Sequence, residues 1–488
     1  MNFFDIDLKE IGFDYVYEQL QPKTVFGMEI KKNIKFYKKK NKKNLLQEFE
    51  ELEDIICSIK QNRKAFDEIE HILYKFKDIR KSIERCKNGS VLDEVELFEI
   101  KNFCLNLRAL KSLISEAKIS NIILHSLDDV YIILDPEGKN IPTFYIYNVY
   151  SEKLNEIRNK KLEIEKKIFL EVDEKNINRL KEQRLNLVIA EEEEELKIKK
   201  ELSKKISKYV NAFEENFRGI GKLDFLIEKA KLAIKYNATK PIIIDDLKVN
   251  LINQINPYVL DILKEKGKSF TPITIEMFKG TTVITGANMG GKSISLKTTT
   301  LNLLLGHLGF FVFAEYAAFP ILDFIYFISD DLQSVSRGLS TFGAEIIKLN
   351  EVISRIKKEF GFAALDEVAR GTNPKEGHAI VRAVCQYLNS FSSFVLVSTH
   401  YDGVVDKNMN HYQVVGLKNV DLDNLKKDLA IKNSIEVIQE YMDYSLERIE
   451  GIREVPKDAL NISKLLNFDE EVIKIAENIL KEGDRNEK

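Results

Sequence analysis

The spacing of apolar side chains divides the chain into a helical part and a part that alternates strands and helices. Residues 28–88 contain no glycine or proline, and apolar residues recur at helical spacing, as at Leu45, Phe49 and Leu52. This period predicts amphipathic helices over residues 1–120. Later in the chain, short apolar runs predict strands at Thr281–Thr285, Phe310–Ala314, Phe324–Ile328, Phe362–Leu365, Phe394–Ser398 and Tyr412–Leu417.

A second stretch without glycine or proline, residues 143–218, predicts two long helices that run out and back as an arm. A helix of about 30 residues spans about 45 Å. Residues 160–210 hold 14 basic and 12 acidic side chains, and the acidic run Glu191–Glu195 would repel a phosphate backbone. An internal coiled-coil hairpin and a nucleic-acid clamp both fit this pattern, and the charge does not favour the clamp.

Composition narrows the function classes. The formal net charge of -3, with 31% charged residues, lacks the strongly basic balance of an obligate nucleic-acid binder. The four cysteines show no metal or disulfide spacing and are predicted to be thiols in a reducing compartment. No signal segment or apolar run of membrane-spanning length is found, so a cytoplasmic protein without a membrane partner is expected.

One local charge cluster has two interpretations. Residues 31–43 hold eight lysines in thirteen positions, with Phe36 and Tyr37 among them. The segment is either a phosphate-contacting patch with aromatic anchors or a solvated helix face and linker. We favour the second, because charge runs are usually solvated.

The clearest chemical signal is Gly-Ala-Asn-Met-Gly-Gly-Lys-Ser between a predicted strand and the predicted helix Ser293–Leu308. It fits the P-loop pattern G-x-x-x-x-G-K-S, which predicts ATP and Mg²⁺ as cofactors. Lys292 would reach the β- and γ-phosphates, and Ser293 would supply a hydroxyl to Mg²⁺. The phosphates would lie against the loop residues Gly286, Ala287, Asn288, Met289, Gly290 and Gly291.

Two further predicted strands end in residues suited to phosphoryl transfer. Asp366 and Glu367 follow the buried run Phe362–Leu365, in a Walker B arrangement. Asp366 would hold Mg²⁺, and Glu367 would orient or deprotonate the attacking water. His400 follows the next predicted strand, where it would reach the γ-phosphate at the carboxyl edge of a parallel sheet.

These segments resemble the MutS family of ATPases, in which Asn-Met-Gly-Gly-Lys-Ser is distinctive. Residues 330–345 are similar to the family's signature loop, residues 365–372 to its Walker B and D-loop, and residues 398–401 to its switch histidine. The resemblance covers about residues 240–420, and the helical region before it resembles the core and lever domains more loosely. Ala287 departs from the usual proline.

The resemblance implies an ABC-type ATPase dimer, most similar to the shorter branch that lacks the mismatch-reading and connector domains. Ser340, in the signature loop, would reach the nucleotide held by the other subunit. Phe270 lies where the family often has an aromatic for the adenine face, although a strand-edge core aromatic explains it equally well. Residues 443–481 resemble the helical tail that packs dimers of the family.

The expected architecture is therefore multidomain, with an all-α core and lever arm and an α/β P-loop (ABC-type) ATPase domain with a mostly parallel sheet. The predicted regions are a helical core at residues 1–140, a long-helix arm at 141–220, a return helix at 221–240, the ATPase domain at 241–420 and a C-terminal helical dimerisation region at 421–488.

Two functions are compatible with this architecture. The first is a nucleotide-switched clamp, acting as a homodimer, that binds DNA of unusual structure without initiating mismatch repair. The alternative is a protein-remodelling ATPase, such as a reactivation factor for an adenosylcobalamin-dependent lysine 5,6- or ornithine aminomutase, as short MutS-like proteins imply. The near-neutral arm fits the second function, and the lysine cluster at residues 31–43 fits the first.

Overall fold

The chain forms two compact units in the computed structural model. The sheet unit comprises residues 1–20, 35–50 and 231–488, and the helical unit comprises residues 21–34 and 51–230. Within these ranges the structure describes residues 8–139, 144–286, 291–329, 341–417, 420, 425, 441–449, 463 and 468–486.

Helices make up most of the described chain, as the apolar period predicts. Leu45, Phe49 and Leu52, which marked that period, are fully buried. The α-helices are α1 (Phe13–Gln19), α2 (Val25–Lys32), α3 (Lys42–Gln61), α4 (Arg63–Leu73), α5 (Arg80–Lys87), α6 (Glu94–Glu116), α7 (Asp128–Leu134), α8 (Glu152–Leu170), α9 (Glu174–Ile206), α10 (Val210–Lys235), α11 (Pro257–Glu265), α12 (Lys292–His307), α13 (Thr341–Ile356), α14 (Pro374–Leu388) and α15 (Glu470–Asn486). None of them is both long and apolar enough to span a bilayer.

Helices α8 and α9 form an antiparallel hairpin within the helical unit. Arg158 bonds Glu191 at 2.8 Å and Glu195 at 2.6 Å, while Arg184 bonds Glu165 at 2.7 Å nearer the turn. Part of the acidic run at residues 191–195 is therefore neutralised by α8. This corrects the expectation that the whole run would repel phosphates, which treated the side chains as unpaired.

The sheet unit contains a four-stranded and a six-stranded sheet. Their orders are β1-β5-β2-β3 and β10-β9-β4-β8-β7-β6. In the larger sheet every neighbouring pair from β9 to β6 is parallel, and β10 is antiparallel to β9. The strands are β1 (Ile242–Ile243), β2 (Lys248–Gln254), β3 (Ile273–Phe278), β4 (Gly280–Thr285), β5 (Tyr316–Phe319), β6 (Phe324–Ile328), β7 (Gly361–Asp366), β8 (Phe394–Ser398), β9 (Asn410–Gly416) and β10 (Asp443–Arg448).

Strands β4 and β6–β9 match the apolar runs, but the prediction of a strand at Phe310–Ala314 is wrong. That segment is buried and makes one isolated bridge, between Val312 and Thr239. Phe313 satisfies its backbone elsewhere, because its N–H donates to the Asn302 side chain at 2.7 Å and its carbonyl accepts from Ile255 at 2.8 Å. A continuous apolar run marks burial without fixing the backbone conformation.

The region after residue 421 was expected to be helical, but Asp443–Arg448 forms strand β10 at the edge of the larger sheet. The segment alternates polar residues with Tyr444 and Leu446, which is the period of a strand. Pairing with β9 satisfies its backbone. Strands β2 and β3 were not predicted either; they pair with each other in antiparallel register.

The two aromatic residues of the lysine cluster at residues 31–43 pack within the sheet unit. The Phe36 ring stacks on His307 with the ring centres 5.0 Å apart, and the Tyr37 N–H donates to the His307 carbonyl at 2.8 Å. Neither aromatic stands as an anchor for an external ligand. This packing favours the interpretation of the segment as a solvated linker.

Candidate functional site

The site begins where β4 ends and α12 starts. Two glycines frame this connection: Gly286 has φ 132° and Gly291 has φ 84°. Residues that carry a Cβ rarely adopt either of these φ angles, so the sequence has glycine where the backbone requires it. A Cβ on Gly291 would lie 3.1 Å from the Tyr444 ring. Four predicted phosphate-binding residues, Ala287, Asn288, Met289 and Gly290, lie outside the described residues.

Lys292 turns its buried ammonium back towards this connection. Its Nζ donates to the Gly286 carbonyl at 2.7 Å and lies 3.2 Å from a carboxylate oxygen of Glu367. Its side chain is 2% exposed. Burial lowers the pKa of Lys292, and the charge of Glu367 opposes that shift. A desolvated ammonium of this kind attracts anions strongly, because little water screens its charge.

Asp366, the last residue of β7, collects two hydroxyl groups. The Ser293 Oγ donates to its Oδ1 at 3.1 Å, and the Ser398 Oγ donates to the same atom at 2.5 Å. Burial raises the pKa of Asp366, while the two hydrogen bonds lower it. The Ser293 hydroxyl and the Asp366 carboxylate are hard oxygen groups, which Mg²⁺ prefers. Ser398 was not predicted as a site residue.

Glu367 adopts a backbone conformation that few residues other than glycine tolerate, with φ 45°. Its N–H donates to the Ser398 carbonyl at 3.2 Å, which holds the strained turn to the end of β8. Its buried Oε2 lies 3.4 Å from Arg370 and 3.8 Å from His400 Nδ1. Strained residues of this type concentrate at functional sites.

His400 follows β8, and its side chain is one-third exposed. The neighbouring Tyr401 hydroxyl donates to the Ala369 carbonyl at 3.3 Å, and the Ala369 N–H donates to buried Glu345 at 2.9 Å. Ala369 itself has φ 61°. Glu345 and Tyr401 therefore hold the loop that follows Glu367, a positioning role that the sequence did not indicate.

Phe270 lines a cavity of about 560 Å³ beside the N-terminus of α12. Gly291, which precedes α12, and Ser295 of α12 line it too, with Met442, which precedes β10, and Tyr444 of β10. Burial raises the pKa of Tyr444. The sequence suggested an aromatic wall through Phe270 alone, because Tyr444 is far away in the chain.

The structure thus brings together most of the predicted site residues that it describes. Lys292, Ser293, Asp366, Glu367 and His400 meet at the carboxyl ends of parallel strands, and Phe270 lines the adjoining cavity. Ser340 lies outside the described residues. Among the described residues, no cluster of three or more His, Cys, Asp or Glu side chains is placed to hold a metal.

The fold and the position of these groups define the class of protein. It is an α/β domain whose polar residues collect at the carboxyl ends of its parallel strands, where such sheets bind their ligands. A family model described as MutS domain V matches residues 282–482 of the chain. This match covers β4, the connection to α12, and all later strands of the larger sheet.

Curated relatives indicate the same family. An endonuclease MutS2 from Ligilactobacillus salivarius is 34% identical over 231 residues, which cover 46% of this chain and 28% of that protein. An endonuclease MutS2 from Geobacillus sp. is 27% identical over 412 residues, which cover 81% and 48%. A DNA mismatch repair protein MutS from Ehrlichia ruminantium is 28% identical over 297 residues, which cover 60% and 34%.

The chain resembles the MutS family, and residues 282–482 match the model of its domain V. It spans less than half the length of each of these three relatives.

Proposed function

We propose that the chain is a Mg²⁺-dependent, ABC-type ATPase. The observation that carries the proposal is the buried set of Lys292, Ser293, Asp366 and Glu367 at one end of the parallel sheet. A buried ammonium beside a desolvated carboxylate is costly to maintain unless a ligand uses it. A nucleotide phosphate and a divalent cation together complement both charges.

Each residue has a role in this proposal. On nucleotide binding, the Lys292 ammonium would leave the Gly286 carbonyl and contact the β- and γ-phosphates. Ser293 and Asp366 would hold Mg²⁺. When bound, Mg²⁺ would neutralise the negative charge that develops on the phosphates. Glu367 would orient the attacking water, and His400, 3.8 Å from it, would contact the γ-phosphate.

The cavity beside α12 has the size and lining for the purine of ATP. Phe270 and Tyr444 offer aromatic surface, and Gly291 connects the cavity to the phosphate end of the site. This placement supports the adenine role of Phe270 over the alternative of a core aromatic. Phe270→Ala should weaken ATP binding much more than it weakens inorganic triphosphate binding, which isolates the contribution of the base.

The Mg²⁺ assignment is tested by Asp366→Asn. We expect this variant to bind nucleotide in EDTA and to lose the stimulation of hydrolysis by Mg²⁺. Asp406→Asn is the matched control, because Asp406 pairs with Arg382 at the surface of the same unit. Equal Mg²⁺ stimulation in the two variants would contradict the assignment.

We also propose that the working form is a homodimer. Helix α15 and the residue before its cap present exposed apolar side chains at intervals of four and three: Phe468, Val472, Ile475 and Ile479. This spacing is that of a helix that packs against another helix. Ser340 would complete the site of the partner, as the family resemblance implies.

A mixing experiment tests the shared site. Lys292→Ala cannot use its own site, and a bulky substitution at Ser340 blocks the site of the partner. Each variant alone should be inactive. A mixed dimer should regain about one of its two sites, because the site with the native Lys292 then receives the native Ser340 from the other copy. Activity of a strictly monomeric form would contradict the proposal.

For the macromolecular partner we propose DNA, recognised by structure, because the relatives include a MutS named for mismatch repair. The neutralised acidic run on α9 removes part of the repulsion expected from the sequence. Lys204 and Lys205 lie exposed near the end of α9. Reversing their charge should weaken binding, whereas Lys199, which is paired with Glu94 at 2.7 Å, serves as the control.

The titration uses branched and linear duplexes at two salt concentrations. Affinity for duplex DNA should fall by roughly 0.9 log units per phosphate contact for each tenfold increase in salt. Binding that is absent at low salt, or unchanged by the charge reversal, would favour the alternative of a protein-remodelling ATPase with an aminomutase-like client. The nearly neutral arm supports that second candidate.

A further inference from the structure

The turn between α8 and α9 exposes an unusual amount of apolar surface. Phe169 is 89% exposed, Leu170 is 78% exposed and Val172 is 91% exposed. They are the three most exposed large apolar side chains of the described residues. They are also almost consecutive in sequence, so they form one patch, which we call the hairpin tip (residues 166–175). Exposed apolar patches of this kind mark interaction sites.

Polar groups hold the hairpin tip in this conformation. The Glu171 carboxylate accepts the N–H groups of Val172 at 3.0 Å and of Asp173 at 3.2 Å. The Asp173 side chain in turn accepts from Asn176 and caps the start of α9. The turn is thus fixed by the side chains of Glu171 and Asp173, and its apolar side chains are held in solvent. Such preorganisation reduces the entropy that a contact must overcome.

The charges of the hairpin tip indicate the kind of partner. Residues 166–175 hold three lysines and three acidic residues, so the tip is neutral overall. The described chain contains no ion pair of Lys166, Lys167 or Glu174, which are all exposed. A phosphate backbone or an anionic lipid surface would meet the acidic residues as closely as the lysines. The tip matches a partner with the same mixed charge.

We propose that the hairpin tip binds the hairpin tip of a second copy of this chain. A two-fold contact requires a surface that complements itself. Here Lys166 and Lys167 lie near the end of α8, and Asp173 and Glu174, followed by Lys175, lie at the start of α9. A two-fold axis that sets α8 of one copy against α9 of the other therefore places Lys166 and Lys167 against Asp173 and Glu174. This contact is separate from the ATP site and from α15.

The contact is small, because only a three-residue turn and the adjoining helix ends take part. Interfaces of this size do not hold two proteins together alone. The tips therefore associate when another interface already keeps the two copies close, which raises their effective concentration. Nucleotide-dependent changes between the copies would then make or break the tip contact.

Cysteine cross-linking tests the proposal in the full chain. A residue near a two-fold axis meets its own copy, so Val172→Cys should form a disulfide-linked dimer under mild oxidation. The background carries Cys57→Ser, because Cys57 is the exposed native thiol and the other three are buried. Tyr74→Cys is the control, since Tyr74 is 77% exposed on the same unit.

The cross-linking rates are measured in the presence and in the absence of ATP. In at least one of these two states, Val172→Cys should cross-link about ten-fold faster than Tyr74→Cys, because the contact raises the local thiol concentration. Adding Phe169→Ser and Leu170→Ser should bring the rate down to that of the control. Equal rates for Val172→Cys and Tyr74→Cys in both states would overturn the proposal.

A charge exchange distinguishes a second copy from other partners. Lys166→Glu with Lys167→Glu makes the tip acidic, and Glu174→Lys makes it basic. Either tip alone should cross-link at the control rate, and a mixture of the two should restore fast cross-linking. If Phe169→Ser instead weakens binding to lipid vesicles or to duplex DNA, and the mixture does not cross-link, the partner is another class of molecule and the proposal fails.

Discussion

The site at the sheet edge and the α8–α9 hairpin both depend on pairs of opposite charge, but they treat those charges differently. At the site, Lys292 and Glu367 are 2% and 8% exposed, and Glu367 holds a strained backbone. On the hairpin, Arg184 and Glu165 are 46% and 41% exposed. Exposed pairs contribute little each, whereas a buried charge that loses its partner is costly. The buried pair at the sheet edge is thus suited to a charged ligand, whereas the exposed pairs of the hairpin contribute little to its stability.

Lys292→Ala should produce the largest difference between the two regions. It removes the buried cation beside Glu367, and with it the ammonium that we propose binds the phosphates. We expect ATP to bind about 1000-fold more weakly, or about 4 kcal/mol. Titration with a fluorescent ATP analogue measures the affinity. The same substitution at Lys161, which pairs with Glu191 on the hairpin, should leave it unchanged.

Glu367→Gln separates binding from chemistry at the same site. The amide keeps the shape of the side chain but cannot accept a proton from water, so turnover should fall about 1000-fold. Nucleotide binding should persist, because Lys292, Ser293 and Asp366, which are proposed to hold the phosphates and Mg²⁺, are unchanged. Steady-state hydrolysis and equilibrium binding give the two numbers. Hydrolysis at the parental rate would remove Glu367 from the catalytic role.

Acid should affect the two regions over different pH ranges. Burial lowers the pKa of His307 in the sheet unit to about 4. Since the unfolded histidine takes up its proton at higher pH, stability falls as pH decreases from 6.5 to about 4, by about 3 kcal/mol in total. Above pH 6.5 the histidine has no such effect. His307→Asn should remove this pH dependence of thermal unfolding.

The hairpin should respond only at lower pH. Burial raises the pKa of Glu191, but the hydrogen bonds from Lys161 and Arg158 outweigh it and leave the pKa below its usual value. Such a carboxylate stabilises the fold above its unfolded pKa and loses that effect as pH falls through the folded value. Hydrogen exchange of α8 that accelerates already at pH 6 would contradict this order.

Arg158→Ala should have the smallest effect and should remain local to the hairpin. Arg158 bonds the Ile146 carbonyl at 2.7 Å as well as two glutamates of α9. Its loss should destabilise the base of α8 by about 2 kcal/mol. Hydrogen exchange would detect this, with unchanged ATP binding. Lys160→Ala is the control, because its pair with Glu156 is largely exposed.

The elements that hold the site were predictable because its chemistry needs specific residues at strand ends. In the sequence, β4, β7 and β8 are apolar runs that indicate buried strands. Lys292, Asp366 and Glu367 were predicted as site residues from their positions at or after the ends of β4 and β7. The backbone of residues 310–314 was not predictable, since a side chain, Asn302, replaces a strand partner there. The spacing of apolar residues along the sequence cannot show that a side chain takes the place of a neighbouring strand.

Tyr444 shows a different limit. Its place in the cavity depends on the pairing of β10 with β9, between segments that the sequence assigned to different regions. The alternation of polar and apolar residues in Asp443–Arg448 was a signal for a strand, and the surrounding charged helical pattern obscured it. The pairs of the acidic run with α8 were similarly hidden, because they join residues more than thirty positions apart.

The edge position of β10 has a consequence for any shortened form of the protein. A fragment cut near residue 420 would keep every residue of the phosphate site but would lose β10. The backbone of β9 would then become an open edge beside buried Tyr412 and Val414, a template on which further strands assemble. We expect such a fragment to aggregate, whereas one that extends through residue 449 should stay dispersed.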